Sequence, residues 1–359
     1  MNISALFTPI FTFFSLMASG MLIGKIKLKN IQLGHAGVLG ASLLLGLLSG
    51  HIPTLSIASL LPYCSFLSSL GTAIFISVIG LHTGCVFSQA KHRKLWKAFF
   101  GGCTVVLIGA SITALLLCID SFIPADLLNG IFAGAMTSTP TLSMVQEFFG
   151  PNSMSAVGYG MSYVIGVLSI VLFVQLIPCS QCTPTIYECS AKKRSISQNN
   201  TLLLLALCAI LGSFIGWILP IGNTGGYLFS GVLIGWFCEK KNHLIQDTSL
   251  LKQLGLTIFL IGTGFPAGIQ LTNELPARGL LYGMFISIGS ILIGYLALRY
   301  LFHYSISDTL TILCGGMTST PAIGILQQKN TKTDLSIYTM AYTGALVSLL
   351  TLIQLLLHI

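Results

Sequence analysis

The string Met-Thr-Ser-Thr-Pro stands twice in this chain, and nothing else in the sequence constrains the fold as strongly. Residues 133–147 read AGAMTSTPTLSMVQE and residues 314–328 read CGGMTSTPAIGILQQ. Each copy continues into a small or hydroxyl-bearing apolar run and then a glutamine, Gln146 or Gln327. The match extends beyond the motif. After a two-residue shift, Met161, Tyr163, Ser169 and Gln175 meet Met340, Tyr342, Ser348 and Gln354. Upstream, Gly71, Ile74, Phe75, Gly80 and Gly84 meet Gly255, Ile258, Phe259, Gly264 and Gly268 at a constant offset. Earlier still, Gly20 and Gly24 meet Gly212 and Gly216. Self-similarity of this extent marks an internal repeat. Two homologous halves are predicted, residues 1–178 and 200–359, joined by a linker at 179–199.

Only 7% of the residues are charged, 54% are hydrophobic, and the mean hydropathy is +0.88. Soluble domains carry about 25% charged residues. The composition therefore predicts an all-α polytopic membrane protein, with room for about ten to twelve helices of ~20 residues. Apolar runs of spanning length fall near 5–24, 34–51, 67–87, 98–119 and 155–178 in the first half. In the second they fall near 202–219, 225–238, 254–273, 279–298 and 336–358. Lys25, Lys27 and Lys29 follow the first run rather than precede it, which predicts a retained first span and no cleaved leader. The net charge of +8 does not indicate nucleic acid, because the positive residues sit in short loops between apolar spans.

Charge also decides the topology. If each repeated motif were a full crossing, lysine and arginine would divide almost evenly between the two faces. If neither motif makes a net crossing, sixteen of the seventeen fall on one face and Arg278 alone on the other, near Glu274 as its expected partner. The expectation is two inverted repeats of five transmembrane helices, each with a re-entrant or broken TSTP element. Both termini then lie outside a cell inner membrane, and the basic 179–199 linker lies in the cytoplasm. Asp120, Asp126 and Asp308 fall at span ends and read as rim residues, and His82 reads as interfacial. Glycines four apart, such as Gly80 and Gly84, read as helix-packing positions.

The motif has a definite physical capacity. Proline suits the first turn of a helix, with the preceding threonine as its cap. Thr139-Pro140 and Thr320-Pro321 thus each predict a helix starting at membrane depth. The residue before proline is pushed out of the α region, which favours a backbone break there. Broken backbone at that depth survives only against protein or a wet cavity. Each new helix offers free amides and the positive end of its dipole. Thr137, Ser138, Thr139, Thr318, Ser319 and Thr320 add hydroxyls. Together with Pro140 and Pro321 they predict a site for a small anion such as a carboxylate, and transporters built from inverted repeats place substrate in such breaks. Gln146 and Gln327 are expected to orient a polar substrate, and Tyr163 and Tyr342 to face it from the following spans. Glu147, whose counterpart is Gln328, is the candidate for binding a coupling ion.

Other chemistries lack their signatures. There is no Walker-type loop, no HExxH, and no adjacent intramembrane acid pair. Cys179-x-x-Cys182, with Cys189 nearby, lacks a fourth ligand, so neither metal nor cofactor is expected. A membrane enzyme or a non-transporting partner subunit would need a spanning nucleophile–base pair or a docking domain, and the sequence spaces neither.

The doubled TSTP motif, GYGMSYVIGVLSIVLFVQLIP at 158–178, and the IGLHTG and IGTGFPAG segments resemble the aspartate:alanine exchanger family, including its YidE-type members. The resemblance covers both halves. It implies a secondary transporter, not an enzyme, that exchanges small amino or dicarboxylic acids such as aspartate, alanine or succinate. Family members commonly carry large central cytoplasmic regulatory domains, whose place is held here by about twenty residues. Sodium/glutamate symporters share the two-half plan, so sodium- or proton-coupled symport is the competing expectation. The partners implied are a small anionic substrate and the lipid bilayer, and a homodimer is one assembly open to it.

Overall fold

A computed structural model describes residues 9–25, 27–28, 31–32, 34–51, 60–89, 93–120, 122–150, 153–177, 194–195, 198–218, 222–241, 243–244, 248–270, 277–329 and 334–357. The linker with Cys179, Cys182 and Cys189, and Glu274, lie outside the described residues or almost wholly so.

The described chain is helical, apart from two-residue ladders pairing Lys27–Leu28 with Ile31–Gln32 and Arg194–Ser195 with His243–Leu244. The first half runs α1 (Pro9–Gly24), α2 (Ala36–His51), α3 (Leu61–Gln89), α4 (Arg93–Ile119), α5 (Ala125–Ala135), α6 (Thr139–Phe149) and α7 (Ser155–Leu176). The second runs α8 (Gln198–Ile218), α9 (Gly222–Lys240), α10 (Ser249–Gln270), α11 (Ala277–Leu296), α12 (Ile306–Gly316), α13 (Thr320–Lys329) and α14 (Leu335–Leu357). Among the described residues, seven helices are long and apolar enough to cross a membrane: α3, α4, α7, α8, α10, α11 and α14. A ~30 Å hydrocarbon layer requires about 20 residues at 1.5 Å each. Helices α1 and α2 are shorter apolar helices. The protein is thus an all-α, multi-pass membrane protein; among the described residues seven of the ten runs expected from hydropathy hold helices of spanning length, and α1, α2 and α9 fall at the other three. Helix α9 is longer than expected, 19 residues instead of the short run at 225–238.

The long helices interlock across the two halves. Helix α2 packs on α10, α3 on α9, α4 on α14 and α7 on α11. Glycines make the first two crossings. A β-carbon at Gly46 would overlap the Phe265 carbonyl, and one at Gly268 the Leu43 carbonyl. Gly84 and Gly235 stand in the same relation to Val232 and Leu81. Such backbone-to-backbone approach is how helices associate where lipid removes the hydrophobic drive. Outward faces carry exposed large apolar side chains, among them Phe100, Leu115, Phe214 and Trp217, which suits a lipid surround. Polar side chains are gathered inside, around the two broken elements.

At the helix ends, Lys94 pairs with Asp308 at 3.1 Å and Arg278 with Asp120 at 3.6 Å. Asp120 is thus an acid that Arg278 meets among the described residues; Glu274, its expected partner, lies outside them. The Tyr282 hydroxyl also donates to Asp120, at 2.6 Å. Asp126 opens α5 and accepts from the Met154 amide at 2.8 Å. His82 meets the Thr248 hydroxyl at 2.6 Å.

Candidate functional site

Both Met-Thr-Ser-Thr-Pro strings are broken helices, and the two breaks share one geometry. Helix α5 ends at Met136 (φ −82°, ψ 3°), and α12 ends at Met317 (φ −81°, ψ 3°). The next residue in each case is a threonine in the left-handed region, Thr137 at φ 53° and Thr318 at φ 50°. The Thr137 amide donates to Gly134 at 2.8 Å and the Ser138 amide to Ala133 at 2.8 Å. In the second half the Thr318 amide donates to Gly315 and the Ser319 amide to Cys314, each at 2.9 Å. These are Schellman caps, a motif that usually places glycine where the threonines stand, since a β-carbon costs about 1–2 kcal/mol there.

The threonine side chains explain the exception. The Thr137 hydroxyl donates to the Met317 carbonyl at 2.5 Å, and the Thr318 hydroxyl to the Met136 carbonyl at 3.0 Å. The two hydroxyl oxygens are 3.4 Å apart. Each break therefore satisfies a helix-end carbonyl of the other, a reciprocal exchange that a local two-fold relation requires. Glycine could supply the dihedral angle but not this bond.

One residue further on, new helices begin. Ser138 is the N-cap of α6, one residue earlier than expected from Thr139-Pro140, so Pro140 falls in the first turn rather than directly after the cap. The missing amide of proline costs nothing at either position. Ser319 occupies the equivalent place, and its hydroxyl accepts from the Ala322 amide at 3.4 Å. The Ser138 hydroxyl instead accepts from Thr141 at 2.7 Å.

The N-termini of α6 and α13 open on a cavity of about 340 Å³. Of the residues proposed from sequence, Thr137, Thr139, Pro140, Thr318, Ser319, Thr320, Pro321, Tyr163 and Tyr342 line it. Ser138 does not; it is fully buried beneath the break. Gln146 and Glu147 lie elsewhere, in a second cavity of about 210 Å³ against the C-terminal half of α6. The physical reason is helix length: Gln146 is two turns from the α6 N-terminus, roughly 10 Å along the axis. Gln146 is buried there with neither side-chain atom bonded. Ser65, Ser68, Ser69 and Thr72 of α3 face it. Glu147 is exposed and accepts from the amides of Asn223 and Thr224, the latter at 2.8 Å, at the start of α9. The side chain of Gln327 lies outside the described residues.

Several lining residues escaped the sequence reading. Tyr159 stacks on Tyr163 with ring centres 5.2 Å apart, and its hydroxyl bonds that of Thr139 at 2.9 Å. Tyr338, which is not among the lining residues, packs against Tyr342 with ring centres 5.9 Å apart and bonds the Thr320 side chain. Both extra tyrosines lie four residues before their partners, a matched pair visible in the sequence. His35, just before α2, and Lys252, in the first turn of α10, also line the cavity. Burial first, and then the Lys252 charge, push the His35 imidazole below its ordinary 6.5. The described lining includes no aspartate or glutamate. Two helix N-termini, a ring of hydroxyls and an ammonium make this a cavity of positive potential, suited to an anion.

Interlocked apolar helices around two broken elements and a cavity between them define a multi-pass membrane protein. The family model described as "Predicted Permease Membrane Region" matches the chain twice, over residues 12–179 and 201–358, and the chain belongs to that aspartate–alanine exchanger family. An uncharacterized transporter of Rhodopirellula baltica is 34% identical over 173 residues, 47% of this chain and 29% of the relative. One from Desulfotalea psychrophila is 33% identical over 159 residues, 44% of this chain and 27% of the relative. A putative transport protein of Klebsiella pneumoniae is 27% identical over 166 residues, 44% of this chain and 29% of that protein. The chain thus spans less than a third of the length of the curated relatives it matches.

Proposed function

We propose that this chain is the membrane core of a secondary transporter that exchanges small carboxylates or amino acids of the aspartate, alanine and succinate class. The observation that carries the reading is the convergence of two half-helix N-termini on one cavity with no acidic residue among its described lining. A carboxylate bound there would replace its water shell with fixed amides, hydroxyls and dipoles. The reciprocal threonine bonds support a symmetric arrangement of the halves 1–178 and 200–359, and the division of lysine and arginine supports inverted repeats with the 179–199 linker cytoplasmic and both termini outside. Alternating access would then be movement of the repeats against each other around a fixed site.

The test is counterflow in proteoliposomes loaded with aspartate, alanine, succinate or glutamate. Uptake of labelled aspartate is expected only into loaded vesicles, and the double variant Thr139→Ala with Thr320→Ala is expected to abolish it while the protein stays folded. Full transport by that variant would overturn the site assignment. A second reading, sodium- or proton-coupled symport, has its own support in the oxygen-lined cavity where unbonded Gln146 adjoins Glu147. Uptake into empty vesicles that follows an ion gradient would favour it.

A further inference from the structure

We propose that Lys252 is the cation that pairs with a second carboxylate of the substrate, so that the cavity selects dicarboxylates and acidic amino acids over monocarboxylates. This rests on the carboxylate reading above and names the subclass of substrate.

The first argument is placement. Lys252 stands in the first turn of α10, half-buried, and lines the cavity that the α6 and α13 N-termini enter. A lysine that served topology alone would need only to sit in a loop on the correct face. Here the residue lines the cavity, and its ammonium has no ion-pair partner among the described residues. An ammonium drawn out of water is costly until an anion joins it. The described lining supplies no acid, which leaves this ammonium open to an anionic ligand.

The second argument is the difference between the repeats. At the offset that relates Gly71 to Gly255, Lys252 corresponds to Ser68, Ser249 to Ser65 and Gln253 to Ser69. Those three serines line the smaller cavity at the other end of α6. One scaffold position thus carries a hydroxyl in one repeat and an ammonium in the other. Serine meets the packing needs of this helix turn in α3, so packing alone does not call for a lysine in α10. His35, on the element facing Lys252, is held toward its neutral form and leaves the lysine as the cation of this mouth.

The geometry therefore divides the work. One carboxylate sits at the half-helix N-termini, where amides and Thr139 and Thr320 hydroxyls await it. The other reaches toward Lys252 within the same cavity of about 340 Å³. A monocarboxylate can satisfy only the first.

The test compares binding of succinate and propionate to the purified full chain in detergent, by calorimetry. Wild type is expected to prefer succinate, and Lys252→Gln to lower the succinate-to-propionate affinity ratio by about 10- to 100-fold, as loss of a charged hydrogen bond implies. Lys252→Arg is expected to keep the preference, since it keeps the charge. If Lys252→Gln does not fold, Lys252→Met, which retains the apolar stem, carries the same comparison. An unchanged ratio in the neutral variants, with wild type still preferring succinate, would overturn the role of Lys252 and leave the carboxylate site standing. Wild type that binds neither acid would remove the carboxylate reading and this inference together.

Discussion

Thr137 offers a sharp test of the break geometry, because two effects there act in opposite directions. Its φ of 53° is a conformation that disfavours any β-carbon by about 1–2 kcal/mol. Its hydroxyl meanwhile bonds the buried Met317 carbonyl. Thr137→Ala keeps the strain and leaves that carbonyl unpaired, which should cost about 1–3 kcal/mol. Thr137→Gly loses the same bond but relieves the strain, and should come out about 1 kcal/mol more stable than the alanine variant. That order reverses the rule for helix interiors, where glycine is about 1 kcal/mol worse than alanine. The assay is reversible unfolding in mixed micelles with increasing SDS, followed by tryptophan fluorescence. An alanine variant as stable as the glycine variant would refute the left-handed cap. Thr137→Ala combined with Thr318→Ala should also be non-additive by more than about 0.5 kcal/mol, since the two hydroxyls are 3.4 Å apart.

Three further outcomes follow from the packing and charges. His35 has a folded pKa below its ordinary 6.5, so the stability it contributes is present above that value and is lost as pH falls toward the lowered one. Melting temperatures at pH 7 and pH 5 should therefore lie closer together in His35→Gln than in wild type, and an unchanged gap would contradict the placement beside Lys252. Gly46→Ala drives a β-carbon into the Phe265 carbonyl and should destabilise by about 3 kcal/mol or prevent folding. Gly40→Ala, on the same helix with no atom within 4 Å, should be neutral or stabilise by up to about 1 kcal/mol; equal effects in micelle unfolding would sink the crossing geometry. Glu147→Gln removes an exposed charge from the α9 N-terminus and should cost no more than about 1 kcal/mol. Exchange should persist in that variant, whereas loss of ion-driven uptake would support symport.

Much of this fold was legible because lipid makes hydropathy decisive. A run such as 98–119 can only be a span, and α4 covers it. The breaks were legible for a related reason, since a Thr-Pro step disfavours the helical conformation at the threonine and suits a helix start, at Thr139-Pro140 and at Thr320-Pro321. What escaped the sequence is what depends on the approach of distant segments. The reciprocal threonine bonds join residues about half the chain apart, and no local rule announces them. Gln146 looked like part of the motif by adjacency, yet two turns of α6 carry it to a different cavity. Lys252 reads in sequence as one more positive loop residue; only the start of α10 just before it places it at the cavity. The partner of Arg278 was sought four residues away in Glu274, which lies outside the described residues, and an acid it meets among them is Asp120, at the end of α4.

The cross-half packing of α2 on α10, α3 on α9, α4 on α14 and α7 on α11 has a consequence for biogenesis. When the ribosome has released the first half, four of its helices stand in the bilayer with their glycine grooves and small faces still open. Helix α2 can meet α1 and α7 can meet α5 beforehand, but the cross-half neighbours are absent until the second half is inserted. The two halves are therefore not independent folding units, in contrast to the domain-by-domain order usual in larger chains. The cross-half contacts, and with them the seating of the two breaks against each other, are therefore completed only after the second half is in the bilayer.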